Sequence, residues 1–242
     1  MICGLHAAKA ALQAAPEKVI RLLIDRKRRD QRIRAILDAA KQNNIRIEYD
    51  SRDALDEKAK GQVHQGVLLF SKGITPYREG DIDRLLENCN EEALVLVLDG
   101  VTDPHNLGAC MRTAEAAGVD FVVASKDRAA GINATVRKTA SGAAERLPFV
   151  QVTNLARSLR QLQDAGLWVT GTAVEGENLQ QVDMTGPRAI VMGSEGKGMR
   201  RLTREHCDQL VKIPMQGQIE SLNVSVAAGI VLYEVVRQRS LQ

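Results

Sequence analysis

The chain has 242 residues, 44% of them apolar and 26% charged, with a net charge of +3. That length allows one large domain or two small ones, and the composition is that of a folded domain, not a disordered one. Apolar runs such as residues 93–98 are far too short to span a bilayer, residues 1–15 lack a signal-peptide layout, and four scattered cysteines argue against a disulfide framework or zinc site, so a cytoplasmic, metal-free protein outside the membrane is expected.

Residues 1–70 read as a small α/β unit. Helical spacing covers 3–15, 31–43 and 52–57, and strand-like runs cover 19–24, 45–49 and 67–70. This segment holds 14 Lys and Arg against 9 Asp and Glu, a net of +5. Arg26, Lys27, Arg28, Arg29, Arg32 and Arg34 crowd six positive charges into nine residues. Such a cluster attracts a polyanion through counterion release, although a solvated turn entering a helix would look the same. Aromatic residues make up only 3% of the chain, which counts against stacking platforms of the RRM type. Residues 71–80 carry Gly73, Pro76 and Gly80 among polar neighbours, a linker composition. The expected division is an N-terminal domain 1–72, a linker 73–90 and a second domain 91–242.

Beyond the linker, strands and helices alternate. Residues 93–98 form a continuous apolar run, as in a strand buried on both faces of a parallel sheet. Helix 107–117, strand 120–124, helix 133–140, strand 148–152 and helix 155–165 follow. Strands 168–172 and 189–192, helix 199–206, strand 209–213 and a long helix 222–238 complete the series. The rhythm predicts an open parallel sheet with helices on both faces.

Three segments place polar residues or glycines directly after an apolar strand, the edge where open α/β sheets bind ligands. In the first, residues 99–112, Pro104 and Gly108 shape a turn, Asn106 reads as a helix N-cap, and Arg112 lies six residues further along. The second, residues 191–199, has glycines at 193, 196 and 198, a loop whose backbone approaches something closely. It is neither a Walker A loop, since Val191 and Gly198 occupy required positions, nor a dinucleotide fingerprint, since Arg201 stands where a third glycine belongs. Glu195 among these glycines has no evident structural role. In the third, residues 213–228, a strand ends at Pro214, and Ser221 or Asn223 caps the last helix. His6, His64 and His206 read as structural.

Taken together and in this order, these segments resemble the SpoU family of RNA ribose 2′-O-methyltransferases, members of the SPOUT superfamily. Asn106 with Arg112 resembles the first family motif, residues 193–198 with Glu195 the second, and residues 221–227 the third. Residues 1–70, ending in Val63-His64-Gln65-Gly66-Val67, resemble the L30e-like RNA-binding domain found in the same family.

The resemblance implies a SPOUT α/β-knot, a deep trefoil knot on a mostly parallel sheet, behind a small L30e-like α/β domain. It implies S-adenosylmethionine as cofactor, contacted by Gly193, Ile213 and Leu222 with Met215 nearby and Thr172 as a further wall. It implies a homodimer, with the apolar side of helix 222–238 as a possible interface. The implied reaction is methyl transfer to the ribose 2′-hydroxyl of a specific guanosine in 23S rRNA, in the P-loop of the peptidyl-transferase region. Alternatives are the same chemistry on another rRNA or tRNA nucleotide, or a non-catalytic RNA-binding relative. Arg112 is the implied centre of catalysis. A guanidinium with a pKa above about 12 is a poor base, so a clamp on phosphate and developing alkoxide charge is an equal candidate. Asn106, Glu195, Ser221 and Asn223 are implied to orient Arg112 and the ribose.

Overall fold

The structure is a computed structural model that describes residues 1–241. The chain forms two compact units, Met1–Thr75 with Ile132–Arg146, and Pro76–Gly131 with Leu147–Gln242.

The first unit begins with β1 (Ile2–Cys3), α1 (Leu5–Ala14), β2 (Val19–Asp25), α2 (Gln31–Gln42), β3 (Arg46–Asp50), α3 (Arg52–Ala59) and β4 (Val67–Ser71). Its sheet runs β1-β4-β2-β3; β2 and β3 are parallel, and β4 is antiparallel to both neighbours. Side chains alternate across a strand, so Leu22 and Ile24 join Ile33 and Ile36 of α2 on one face, while Leu23 and Leu68 meet Leu55 of α3 on the other. Asp30 and Ser51 cap α2 and α3, their side-chain oxygens accepting first-turn backbone N–H groups.

The second unit opens with β5 (Tyr77–Arg78) and α4 (Ile82–Leu86), so residues 73–90, read as a linker, contain regular structure. Then come β6 (Leu94–Asp99), α5 (Pro104–Ala116) and β7 (Phe121–Ser125). The chain next enters α6 (Ala134–Thr139) and α7 (Ala143–Arg146), which lie within the first unit. There Arg137 donates to Glu145 at 2.7 Å and to the Ser71 hydroxyl at 2.8 Å. Gly142 has φ +101°, and a Cβ there would stand 2.0 Å from the Ala10 Cβ, so only glycine permits this approach to α1.

The second unit resumes with β8 (Phe149–Val152), α8 (Leu155–Asp164), β9 (Trp168–Asn178), β10 (Arg188–Gly193), α9 (Arg201–Glu205), β11 (Gln209–Lys212) and α10 (Val224–Arg239). Its seven strands run β11-β9-β10-β6-β7-β8-β5, every neighbouring pair parallel. Val95, Val97, Val123, Val150 and Val191 pack on one face with Leu155, Leu159 and Leu162 of α8. The alternate residues Leu94, Leu96, Val122 and Ile190 are equally buried and face the opposite side, so the sheet is covered on both faces. β9 extends past its expected end at Thr172 because the register with β11 jumps from Gly171 to Glu177, so that residues 177–178 pair again. Among the described residues no helix is long and apolar enough to cross a membrane, and no group of His, Cys, Asp or Glu has metal-holding geometry.

Candidate functional site at the carboxyl edge of the parallel sheet

β6 ends at Asp99, a carboxylate only 1% exposed. Its Oδ2 accepts the Arg200 backbone N–H at 2.7 Å, and its Oδ1 lies 3.5 Å from the Arg200 Nε. A buried carboxylate must be paired, and this one pins the start of α9 to the end of β6. Asp99 was not singled out from sequence, although an acidic residue closing an all-apolar strand was a readable signal.

Asn106 is not the N-cap of α5. Asp103 takes that role, accepting the His105 backbone N–H at 2.8 Å, and Pro104 fills the first helical position, which suits a residue with no N–H to satisfy. The helix therefore starts three residues before the expected 107. Asn106 is left in its first turn, nearly buried, with a side chain free for other contacts.

β10 ends at Gly193, where a Cβ would lie 2.2 Å from the backbone of Gly198 and Met199. The turn closes with Ser194 and Gly198 exchanging backbone hydrogen bonds of 3.0 and 2.9 Å. Gly196 and Gly198 hold φ of +75° and +65°, the left-handed region glycine favours. These constraints account for the three glycines and hold Glu195 at the turn. α9 begins only at Arg201, after this loop, and β11 stops at Lys212, one residue short of the expected end.

α10 starts at Val224 with Asn223 as its cap, the Asn223 Oδ1 accepting from the Ser225 backbone N–H at 2.9 Å and its hydroxyl at 2.6 Å. The Asn223 Nδ2 donates to the Asn106 Oδ1 at 3.0 Å and to the Glu195 Oε1 at 2.9 Å. Asn106 donates to the same Glu195 oxygen. Three side chains from three segments thus meet in one closed polar cluster, leaving the Glu195 Oε2 without a hydrogen bond among the described residues.

Ser221 and Arg112 do not join this cluster. Both are exposed, and neither side chain forms a hydrogen bond or ion pair among the described residues. Six residues along a helix rotate Arg112 about 120° away from Asn106. Cys110, one turn beyond Asn106, is fully buried. Burial first, then the Glu195 charge, pushes its thiol pKa up to about 12, so Cys110 stays protonated and is no nucleophile.

Thr172 lies within β9, Gly193 closes β10 and Ile213 follows β11, on three adjacent parallel strands. The Thr172 hydroxyl donates to the Val191 carbonyl at 3.2 Å. Met215 and Leu222 are 37% and 36% exposed. No backbone group of residues 213–222 is hydrogen-bonded to another backbone group among the described residues. Free amides beside half-exposed apolar side chains suit a flat ligand with apolar faces and a polar edge, such as a nucleoside.

Residues 93–233 match the SpoU rRNA Methylase family, and residues 1–77 match the RNA 2′-O ribose methyltransferase substrate binding family. The chain is 53% identical to the 23S rRNA (guanosine-2′-O-)-methyltransferase RlmB of Photobacterium profundum, over 100% of this chain and 98% of that one. It is 52% identical to RlmB of Escherichia coli K12, over 99% of each. Among solved structures it resembles the SpoU methyltransferase AviRb from Streptomyces viridochromogenes in complex with AdoMet, with a TM-score of 0.79 and 27% identity over 99% of this chain and 89% of that one. It also resembles the A. aeolicus TrmH/SpoU tRNA modifying enzyme, with a TM-score of 0.57 and 33% identity over 67% of this chain and 84% of that one.

Proposed function

Because the chain belongs to the SpoU rRNA methylase family, we propose that it methylates the ribose 2′-hydroxyl of a specific guanosine in 23S rRNA, using S-adenosylmethionine. The observation that carries this reading is the joining of Asn106, Glu195 and Asn223 at the sheet edge. The full-length likeness to the two RlmB proteins supports 23S rRNA over tRNA as substrate. The protein would act in the cytoplasm, where rRNA is made.

S-adenosylmethionine supplies an electrophilic methyl on a sulfonium. Gly193, Ile213, Met215 and Leu222 would hold it, with the free backbone groups of residues 213–222 reading its adenine edge. The knotted threading that the family resemblance implies belongs to the same reading, with residues 193–199 and 213–223 as the loops involved.

A ribose hydroxyl is a weak nucleophile, and its proton must be accepted or its developing charge stabilised. Glu195, fixed through Oε1, offers Oε2 to orient that hydroxyl or a guanidinium. Arg112 would clamp the adjoining phosphate and stabilise charge on the oxygen, with Ser221 contacting the ribose once RNA is bound.

The protein would act as a homodimer. Val226, Ile230 and Tyr233 lie at helical spacing on α10 and are 51%, 39% and 51% exposed, an apolar stripe suited to a second copy. On the neighbouring α5, Arg112 would complete the cluster of the second copy.

The test is transfer of labelled methyl to 23S rRNA lacking its modifications, with the site mapped by resistance to alkaline cleavage. One protected linkage at the P-loop guanosine is expected. A protected linkage elsewhere moves the substrate, and cofactor binding without transfer to any rRNA would overturn the reading.

A further inference from the structure

We propose that Tyr49 is a base-stacking residue, receiving an unpaired nucleotide of the substrate RNA beside the arginine cluster; this rests on the RNA reading above.

The protein has only three tyrosines and three phenylalanines. Tyr49 is 50% exposed and its hydroxyl has no hydrogen bond among the described residues. It stands near the carboxyl end of β3, the edge strand of its sheet, in register with Ile24. Ile47, two residues earlier and so on the same face, packs into the core beneath α2. Tyr49 continues that row past the end of the core, at the corner where the chain leaves β2 for α2.

That corner is the basic turn. The Arg26 backbone N–H donates to the Asp50 carbonyl at 2.9 Å, joining the turn to the residue after Tyr49. Arg28 is held in place by Asp30 and the Gln65 carbonyl, and Gly66 is closed off by the Arg28 side chain. Lys27, Arg29 and Arg32 are exposed and form no ion pair among the described residues. Exposed cations without an acidic partner, on a turn hydrogen-bonded to the strand that carries one exposed ring, are the two parts single-stranded RNA sites combine: charge for the backbone and an aromatic face for a base. A composition too poor in aromatics for a stacking platform is compatible with a single stacking position.

The experiment compares the full-length protein with Tyr49→Ala and Tyr49→Phe. Binding is measured to a 23S rRNA hairpin with an unpaired loop and to a fully paired RNA of equal length, across a salt series. Tyr49→Ala should lose about tenfold in hairpin affinity, keep its duplex affinity and keep its salt slope. Tyr49→Phe should stay within about twofold, since the ring face remains. By contrast, Arg29→Ala with Arg32→Ala should weaken both RNAs and flatten the slope. A Tyr49→Ala protein that binds the hairpin like wild type, or loses equally on both RNAs, overturns the stacking while methyl transfer by wild type leaves the parent reading standing. A wild-type protein that binds neither RNA overturns both.

Discussion

Replacing Glu195 by alanine separates a structural cluster from a working one. The change removes the acceptor shared by the Asn106 and Asn223 amides. Asn223 is exposed and keeps the Asn106 oxygen at 3.0 Å, so it loses little. Asn106 is 9% exposed and Glu195 is the acceptor of its amide, so a nearly buried donor is left unsatisfied at a cost of about 1–3 kcal/mol. For a chain of this size each kcal/mol lowers Tm by roughly 2–4 °C, giving an expected drop of about 2–12 °C and a protein still folded at 25 °C. If Glu195 also positions the reacting groups, kcat for methyl transfer should fall a further ~100-fold. Glu195→Gln keeps a carbonyl oxygen for both amides, so its Tm should remain near wild type while its lost charge still lowers kcat. Calorimetry and single-turnover methyl transfer at 25 °C read the two effects separately. A Glu195→Ala protein that melts lower yet transfers methyl within about threefold of wild type would refute the catalytic role.

Co-expression of Arg112→Ala with Asn223→Ala should give mixed dimers that recover activity absent from either variant alone, because Arg112 makes no contact with the cluster of its own chain; mixtures no better than the parents would place both residues in one subunit's site. Gly142→Ala should destabilise the first unit by about 2–4 kcal/mol through the clash with Ala10 and the positive φ, read by thermal melting, with partial rescue by Ala10→Gly; an unchanged melt would refute that packing. Burial pushes the thiols of Cys110 and Cys207 up to about 12 and that of Cys89 up to about 11, and a raised thiol pKa means less thiolate at neutral pH. Iodoacetamide at pH 8 should therefore label Cys89, Cys110 and Cys207 of the native protein hundreds of times more slowly than free cysteine, with the rate still climbing at pH 10, and rapid native labelling of Cys110 would contradict its burial.

The parallel sheet was legible because a strand buried on both faces must be apolar throughout, as residues 94–98 are. The helix at 134–139 was legible too, but the place of segment 132–146 in the first unit was not, because its neighbours Ala10 and Ser71 lie far away in sequence and no local pattern points to them. Asn106 shows how a sound local rule can assign the wrong residue: asparagine caps helices well, but Asp103 before Pro104 caps this one better. That left Asn106 for a contact with a residue 117 positions away. The glycines after β10 announced a tight loop, yet which side chain that loop would present, and to what, depended on α10.

The cluster also sets a schedule for synthesis. Asn106 leaves the ribosome first, Glu195 follows 89 residues later, and Asn223 comes 117 residues after Asn106. A nascent chain thus carries both recognition surface and sheet before it owns a finished centre. A premature stop anywhere before residue 223 yields a product lacking at least one corner of the polar triangle, and the long-range closure this demands is slow compared with the forming of local helices.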